Sequence, residues 1–103
     1  ALVRAGFSKP AFDTIVASGP NSARPHARPT GKRLEPGDLV VLDFGGVLEG
    51  YCVDLTRMAA VGRVTPEARR LYDAVRQAHG AALAAVRAGT AARSVDDAAR
   101  QVL

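Results

Sequence analysis

Tryptophan is absent, and the aromatic side chains are limited to three Phe and two Tyr. The bulk of any core therefore falls to Leu and Val, with Ala filling the helices, and light packing is expected. A single cysteine, Cys52, excludes an internal disulfide and suits a reducing, cytoplasmic compartment. No apolar run reaches the roughly 20 residues that a membrane-spanning helix needs, and residues 1–20 lack the shape of a signal peptide. No membrane partner is expected. The net charge is +4, but it is spread along the chain. Residues 1–33 carry six Lys or Arg against one acid, residues 34–65 two against five, and residues 66–103 six against four. Arg24, Arg28, Lys32 and Arg33 cluster with no aromatic residue among them to stack on bases, which argues against nucleic acid as a partner.

Two acidic residues stand where a strand should be apolar. Asp38-Leu-Val-Val-Leu-Asp-Phe-Gly-Gly-Val-Leu48 and Tyr51-Cys-Val-Asp-Leu-Thr-Arg-Met-Ala-Ala-Val61 read as the strands of one β-hairpin, interrupted by Asp43 and Asp54. Asp is depleted in strands and is rarely buried without a partner, so a cation is the natural companion for this pair. A two-residue loop at Glu49-Gly50 would set Leu48 against Tyr51, Gly45 against Asp54 and Asp43 against Thr56. Asp43 and Asp54 then become diagonal neighbours on one face, whereas an odd-numbered slip would separate them. Gly45 and Gly46 would leave the space above the pair open, or permit a bulge. Without a cation, the two aspartates read as edge-strand charges that guard against aggregation.

Other elements follow from local signals. Residues 1–6 read as the tail of a helix that starts outside the sequence. Phe12–Ser18 is a short strand ending at the turn Gly19-Pro20-Asn21-Ser22, and Glu35-Pro36-Gly37-Asp38 is a type II turn that launches the hairpin. Thr65 is an N-cap, with Pro66 as first helical residue and Glu67 facing the helix dipole. Leu71, Val75, Ala78, Ala82 and Val86 give this helix an apolar face up to about Ala88, and Gly89 stops it. Arg69, Arg70, Asp73, Arg76 and Gln77 read as solvated, and His79 as structural or solvated. Ser94 and Asp97 resemble a capping box that opens a second helix near Val95. Cys52 shares the face of Asp54, most simply as a buried structural thiol, since two carboxylates favour oxygen-loving ions. Thr56 is either a hydrogen-bond donor to a ligating carboxylate or an ordinary strand former, and Arg57 either pairs with a carboxylate or lies on the surface.

Asn21-Ser22-Ala23-Arg24-Pro25-His26, Leu34-Glu-Pro-Gly-Asp38, Val41-Leu-Asp-Phe-Gly45 and Tyr51-Cys-Val-Asp-Leu-Thr-Arg57 together resemble the pita-bread metallopeptidases, above all the Xaa-Pro aminopeptidases and Xaa-Pro dipeptidases. The resemblance spans about residues 10 to 100, with several motifs in order and spacing. It implies an α+β chain, part of a pita-bread (creatinase/aminopeptidase) fold, with an antiparallel hairpin sheet packed with helices. Residues 1–103 would be a piece of one catalytic domain, truncated at both ends.

By this resemblance Asp43 and Asp54 match the first two of five protein ligands to a dinuclear centre of manganese, cobalt or zinc, Asp43 chelating one ion and Asp54 bridging both. His26 matches a histidine that lines the substrate pocket and serves catalysis without ligating metal; by itself it would read as an ordinary loop histidine. The implied activity is hydrolysis of the bond between an N-terminal residue and proline, on peptides with proline in second position, by a parent protein that is a homo-oligomer. The remaining ligands, a His and two Glu, would follow Leu103, so the 103 residues alone are expected to be inactive. The alternatives within the fold are a non-catalytic peptide- or protein-binding module, a methionine aminopeptidase and a creatinase-like hydrolase.

Overall fold

The computed structural model describes residues 2–103. They form two compact units, one ending at Val64 and the other running Thr65–Leu103.

In the first unit four strands make one antiparallel sheet: β1 (Lys9–Pro10), β2 (Ile15–Ser18), β3 (Leu39–Leu48) and β4 (Tyr51–Ala60). The turn before β3 forms as its sequence predicts, with Gly37 at φ +97° and the Asp38 amide donating to the Glu35 carbonyl at 3.0 Å. Gly37 also donates to Val61 at 2.7 Å and Val61 to Asp38 at 2.9 Å, so the turn is tied to the far end of the hairpin. Glu49 and Gly50 both have positive φ, +49° and +85°, the type I′ pattern whose twist matches paired strands. Pairing then runs without interruption from Leu48↔Tyr51 to Leu39↔Ala60. This unbroken ladder excludes a bulge at Gly45-Gly46.

The other edge of β3 is shared by two short strands. β2 pairs along Val40–Asp43, and β1 pairs with Gly46 and Val47. β1 escaped the sequence reading because two residues, one of them proline, carry no periodicity. β2 begins at Ile15 rather than Phe12, because Pro10 pairs with Gly46 and Ile15 with Asp43, so residues 11–14 lie opposite only Phe44 and Gly45 and must leave the ladder. Val3–Ala5 form a single 3-10 turn closed by Gly6 at φ +93°, and Ala1, included in the expected helix tail, lies outside the described residues. The core of this unit is light: Ala17 and Val40 are its buried apolar side chains among the described residues.

An ion pair hidden in the sequence sits at the base of β3. Lys32, a member of the basic cluster at residues 24–33, places Nζ 2.6 Å from Asp38 Oδ2, with the two side chains only 23% and 11% exposed. The Glu35 amide donates to the same oxygen at 3.0 Å. The Lys32 hydrogen bond, seconded by that amide, holds the Asp38 carboxyl below its usual range.

In the second unit α1 (Pro66–Ala85) begins as expected, with Thr65 Oγ1 accepting the Ala68 amide at 3.2 Å and Pro66 in the first turn. It stops at Ala85, short of Ala88, and the chain reverses through Arg87–Thr90 with Gly89 at φ +84°. α2 (Ala92–Arg100) opens before Ser94, and the expected capping box does not form. Ala92, a stronger helix former than Ser, takes the first helical position, and the Ser94 amide already bonds the Ala91 carbonyl at 2.9 Å.

The two helices pack together through small residues. Ala78 is buried and Ala74, Ala81, Ala82 and Ala85 are half-buried, as are Val95, Ala98 and Ala99 of α2. Leu71, Val75 and Val86, assigned by periodicity to the same face as Ala78, are instead exposed. Asp73, expected in solvent, is half-buried; Oδ2 accepts from Arg69 Nε at 2.8 Å, and the buried Oδ1 has no hydrogen-bond partner among the described residues. His79 is exposed. Among the described residues no helix is long and apolar enough to cross a membrane.

The depressed Asp38 carboxyl fixes the sign of a pH effect. Its stabilisation is present above the unfolded carboxylate value, about 3.9, and is lost as pH falls through the lower folded value. Thermal denaturation of Asp38→Asn at pH 7 should therefore show a lower Tm than the parent, and the gap should close as the pH is lowered below about 4.

Candidate metal centre

The hairpin register builds the site. Asp43 stands opposite Thr56 and Gly45 opposite Asp54, so the alternation of a strand turns Asp43, Thr56 and Asp54 to one face. The two aspartates are diagonal neighbours, a relation that separates backbones by about 7–8 Å and leaves side chains free to converge. Thr56 Oγ1 donates to Asp43 Oδ1 at 3.3 Å, which decides between the two readings of that threonine in favour of a carboxylate partner. On its other edge Asp43 pairs with Ile15 of β2. Asp43 is half-buried and Asp54 exposed, and neither belongs to an ion pair among the described residues.

The glycines serve packing on two faces. A Cβ at Gly45 would overlap the Val53 carbonyl oxygen and come 2.7 Å from Phe12 Cε1. The space beside the aspartates is thus shaped by an aromatic ring rather than left open. Gly46 faces the opposite side, where a Cβ would meet the Phe7 ring.

A cavity of about 310 Å³ opens on the aspartate face, and His26 lines it together with Asp43 and Asp54. The three residues singled out in the sequence are brought to one place. His26 is exposed, on the irregular stretch that follows the 3-10 turn Gly19–Ala23. Phe12 and Ile15 supply apolar wall, and Asp13 and Arg28 line the same cavity, paired with each other at 3.6 Å. Asp13 and Arg28 carried no signal in the sequence beyond their charge. Cys52 is exposed, not a buried thiol, because it lies beside the turn, next to Tyr51 at 80% exposure. Arg57 donates to the carbonyl of Thr56 at 2.9 Å and pairs with no carboxylate among the described residues.

The donor chemistry suits a hard divalent cation: two carboxylates on a rigid ladder, free of ion pairs, one of them oriented by a hydroxyl. Among the described residues no group of three or more His, Cys, Asp or Glu is placed to hold a metal ion by itself. Asp43 and Asp54 therefore fit part of a ligand set, and further donors would be required to complete it.

The model of metallopeptidase family M24 matches residues 1–103. The Xaa-Pro dipeptidase of Pyrococcus furiosus is 43% identical over 98 residues, covering 95% of this chain and 28% of that protein. The crystal structure of a prolidase from Thermococcus sibiricus superposes with a TM-score of 0.88 at 40% identity, over 93% of this chain and 26% of that one. An X-Pro aminopeptidase from Thermotoga maritima gives 0.87 at 39% identity, over 98% and 29%. The sheet and helices are those of part of a pita-bread fold. The chain spans less than a third of the length of these relatives.

The crowding at Gly45 yields a direct test of the site's packing. Gly45→Ala should destabilise the protein by about 1–3 kcal/mol in urea denaturation, as overpacking does. Gly31→Ala, where nothing lies within 4 Å of the added methyl, should stay within about 0.5 kcal/mol of the parent.

Proposed function

The chain belongs to metallopeptidase family M24, and on that premise we propose that it carries the opening part of the active site of an exopeptidase that cleaves between an N-terminal residue and proline. The observation that carries this reading is the cavity that His26 shares with Asp43 and Asp54. The names of the relatives, an Xaa-Pro dipeptidase, a prolidase and an X-Pro aminopeptidase, support it. Because the chain spans 28% of the Pyrococcus protein, the activity is assigned to a longer polypeptide, of whose catalytic domain residues 1–103 are one piece. Residues 1–103 alone are inactive in this reading, since Asp43 and Asp54 need further donors.

Asp43 and Asp54 would hold two divalent ions, with manganese the first choice and cobalt or zinc the alternatives. Such ions polarise a carbonyl and lower the pKa of water. The chain's own residues do the rest. Thr56 fixes the Asp43 carboxylate through its hydrogen bond, limiting the rotamers from which that side chain must be recruited. Phe12 and Ile15 form an apolar wall that suits a pyrrolidine ring. His26 hydrogen-bonds the bound peptide and can deliver a proton from its imidazole to the prolyl nitrogen, a tertiary amide that must be protonated to depart. The lone, exposed Cys52 is in keeping with a reducing, cytoplasmic setting.

In the full-length protein loaded with manganese, Asp54→Ala should abolish release of the first residue from an Xaa-Pro dipeptide, followed by an amine-release assay. Full activity in that variant would remove the metal role from Asp54. Thr56→Val should keep the fold but weaken retention of the metal, or the activity, by about 10–100-fold. Metal analysis after dialysis against a graded chelator series reads this directly.

A further inference from the structure

Residues 24–34 carry His26 but have almost no backbone support. Among the described residues, their amides make a single bond to backbone, from Arg24 to the carbonyl of Asn21 at 3.1 Å. Nor does close packing hold them. Ala27, Arg28 and Pro29 border both the cavity of about 310 Å³ at Asp43 and Asp54 and a second one of about 220 Å³.

A relay of polar bonds takes the place of a ladder. Asn21 Nδ2 donates to Thr30 Oγ1 at 3.2 Å, and the Lys32 amide donates to that same oxygen at 3.2 Å. Lys32 Nζ then donates to the Arg33 carbonyl at 2.8 Å and to Asp38 Oδ2 at 2.6 Å. A Cβ at Gly19 would stand 2.7 Å from Asp38 Oδ1 and 2.9 Å from Lys32 Cε, so the pair is seated against the start of the Gly19–Ala23 turn. Both ends of the loop thereby meet at the base of β3, the strand that bears Asp43. The competing tether, Arg28 to Asp13, is longer at 3.6 Å and its side chains are 83% and 93% exposed, which makes it the weaker constraint. The Lys32–Asp38 pair is largely withdrawn from water, where an attraction between charges is less screened.

We propose that the Lys32–Asp38 ion pair is the positioning device for His26, pinning the loop so that the imidazole stands over the Asp43–Asp54 face. This rests on the reading that His26 meets the bound peptide. Lys32 touches no reacting atom; it acts through the loop. Loss of such an anchor should cost about 10–100-fold in turnover, the scale set by a misplacement of about 1 Å at a reacting centre.

The test is a double-mutant cycle in the full-length, metal-loaded protein on an Xaa-Pro dipeptide, with metal content measured for every variant. Lys32→Met should lower kcat/KM about 10–100-fold at unchanged metal content, and Lys32→Arg should recover most of it. Combined with His26→Ala, Lys32→Met should add no further loss, and the pH dependence of kcat/KM should change alike in both single variants. Thr30→Val, at the outer end of the relay, should show a smaller loss in the same direction, and it carries the test if Lys32→Met does not fold. If His26→Ala lowers kcat/KM while Lys32→Met and Thr30→Val leave it intact, or lower it multiplicatively with His26→Ala, the positioning role is overturned and the role of His26 stands. If His26→Ala itself leaves kcat/KM unchanged, the role of His26 fails and the positioning role with it.

Discussion

The two-residue turn at Glu49-Gly50 decides which side chains of this protein can act together. Strand side chains alternate with a period of two, so one residue more or less in the turn would send Asp43 and Asp54 to opposite faces. With Leu48 against Tyr51, the whole ladder falls into a register that puts both carboxylates and Thr56 on one side. Glu49 adopts φ +49°, a conformation that side chains other than those of Gly, Asn and Asp seldom take, and the ten-residue ladder it closes stabilises it there. The hairpin is clamped at its open end as well, by the paired bonds between Gly37, Asp38 and Val61. A register fixed at both ends is what a shared metal site requires of its scaffold.

Around that constraint the first unit combines few buried apolar side chains with a set of polar contacts. Ala17 and Val40 are small, and the sheet gains its specificity from rings set against glycines: Phe12 over Gly45 on the aspartate side and Phe7 over Gly46 on the other. The same economy appears in the loop that bears His26, which is closed by Asn21, Thr30, Lys32 and Asp38. In the helical unit, alanines allow α1 and α2 to approach closely, and Leu71, Val75, Leu83 and Val86 stay on the surface.

The hairpin was legible because its information is local. A turn signal, a period of two and two misplaced charges all fall within residues 38–61. The type II turn at Glu35–Asp38 and the Thr65 cap were legible for the same reason. Elements decided by distant partners were not. β1 exists only because Gly46 and Val47 offer an edge. Lys32 looked like a surface cation because its partner Asp38 is specified by the fold of the intervening loop, and Asp13 and Arg28 line the site for the same reason. Periodicity placed Ala78 and Ala82 on the packed face of α1 but could not tell that Leu71, Val75 and Val86 stay outside it. At Ser94 a short capping pattern lost to a turn that had already begun upstream.

The central claim is that Asp43 and Asp54 jointly hold divalent metal. Crystals of the full-length protein soaked in manganese, with data collected on both sides of the manganese absorption edge, test it most directly. The account predicts anomalous peaks within about 2.0–2.6 Å of carboxylate oxygens of both Asp43 and Asp54. Anomalous peaks elsewhere, with both carboxylates lacking a metal neighbour, would contradict it.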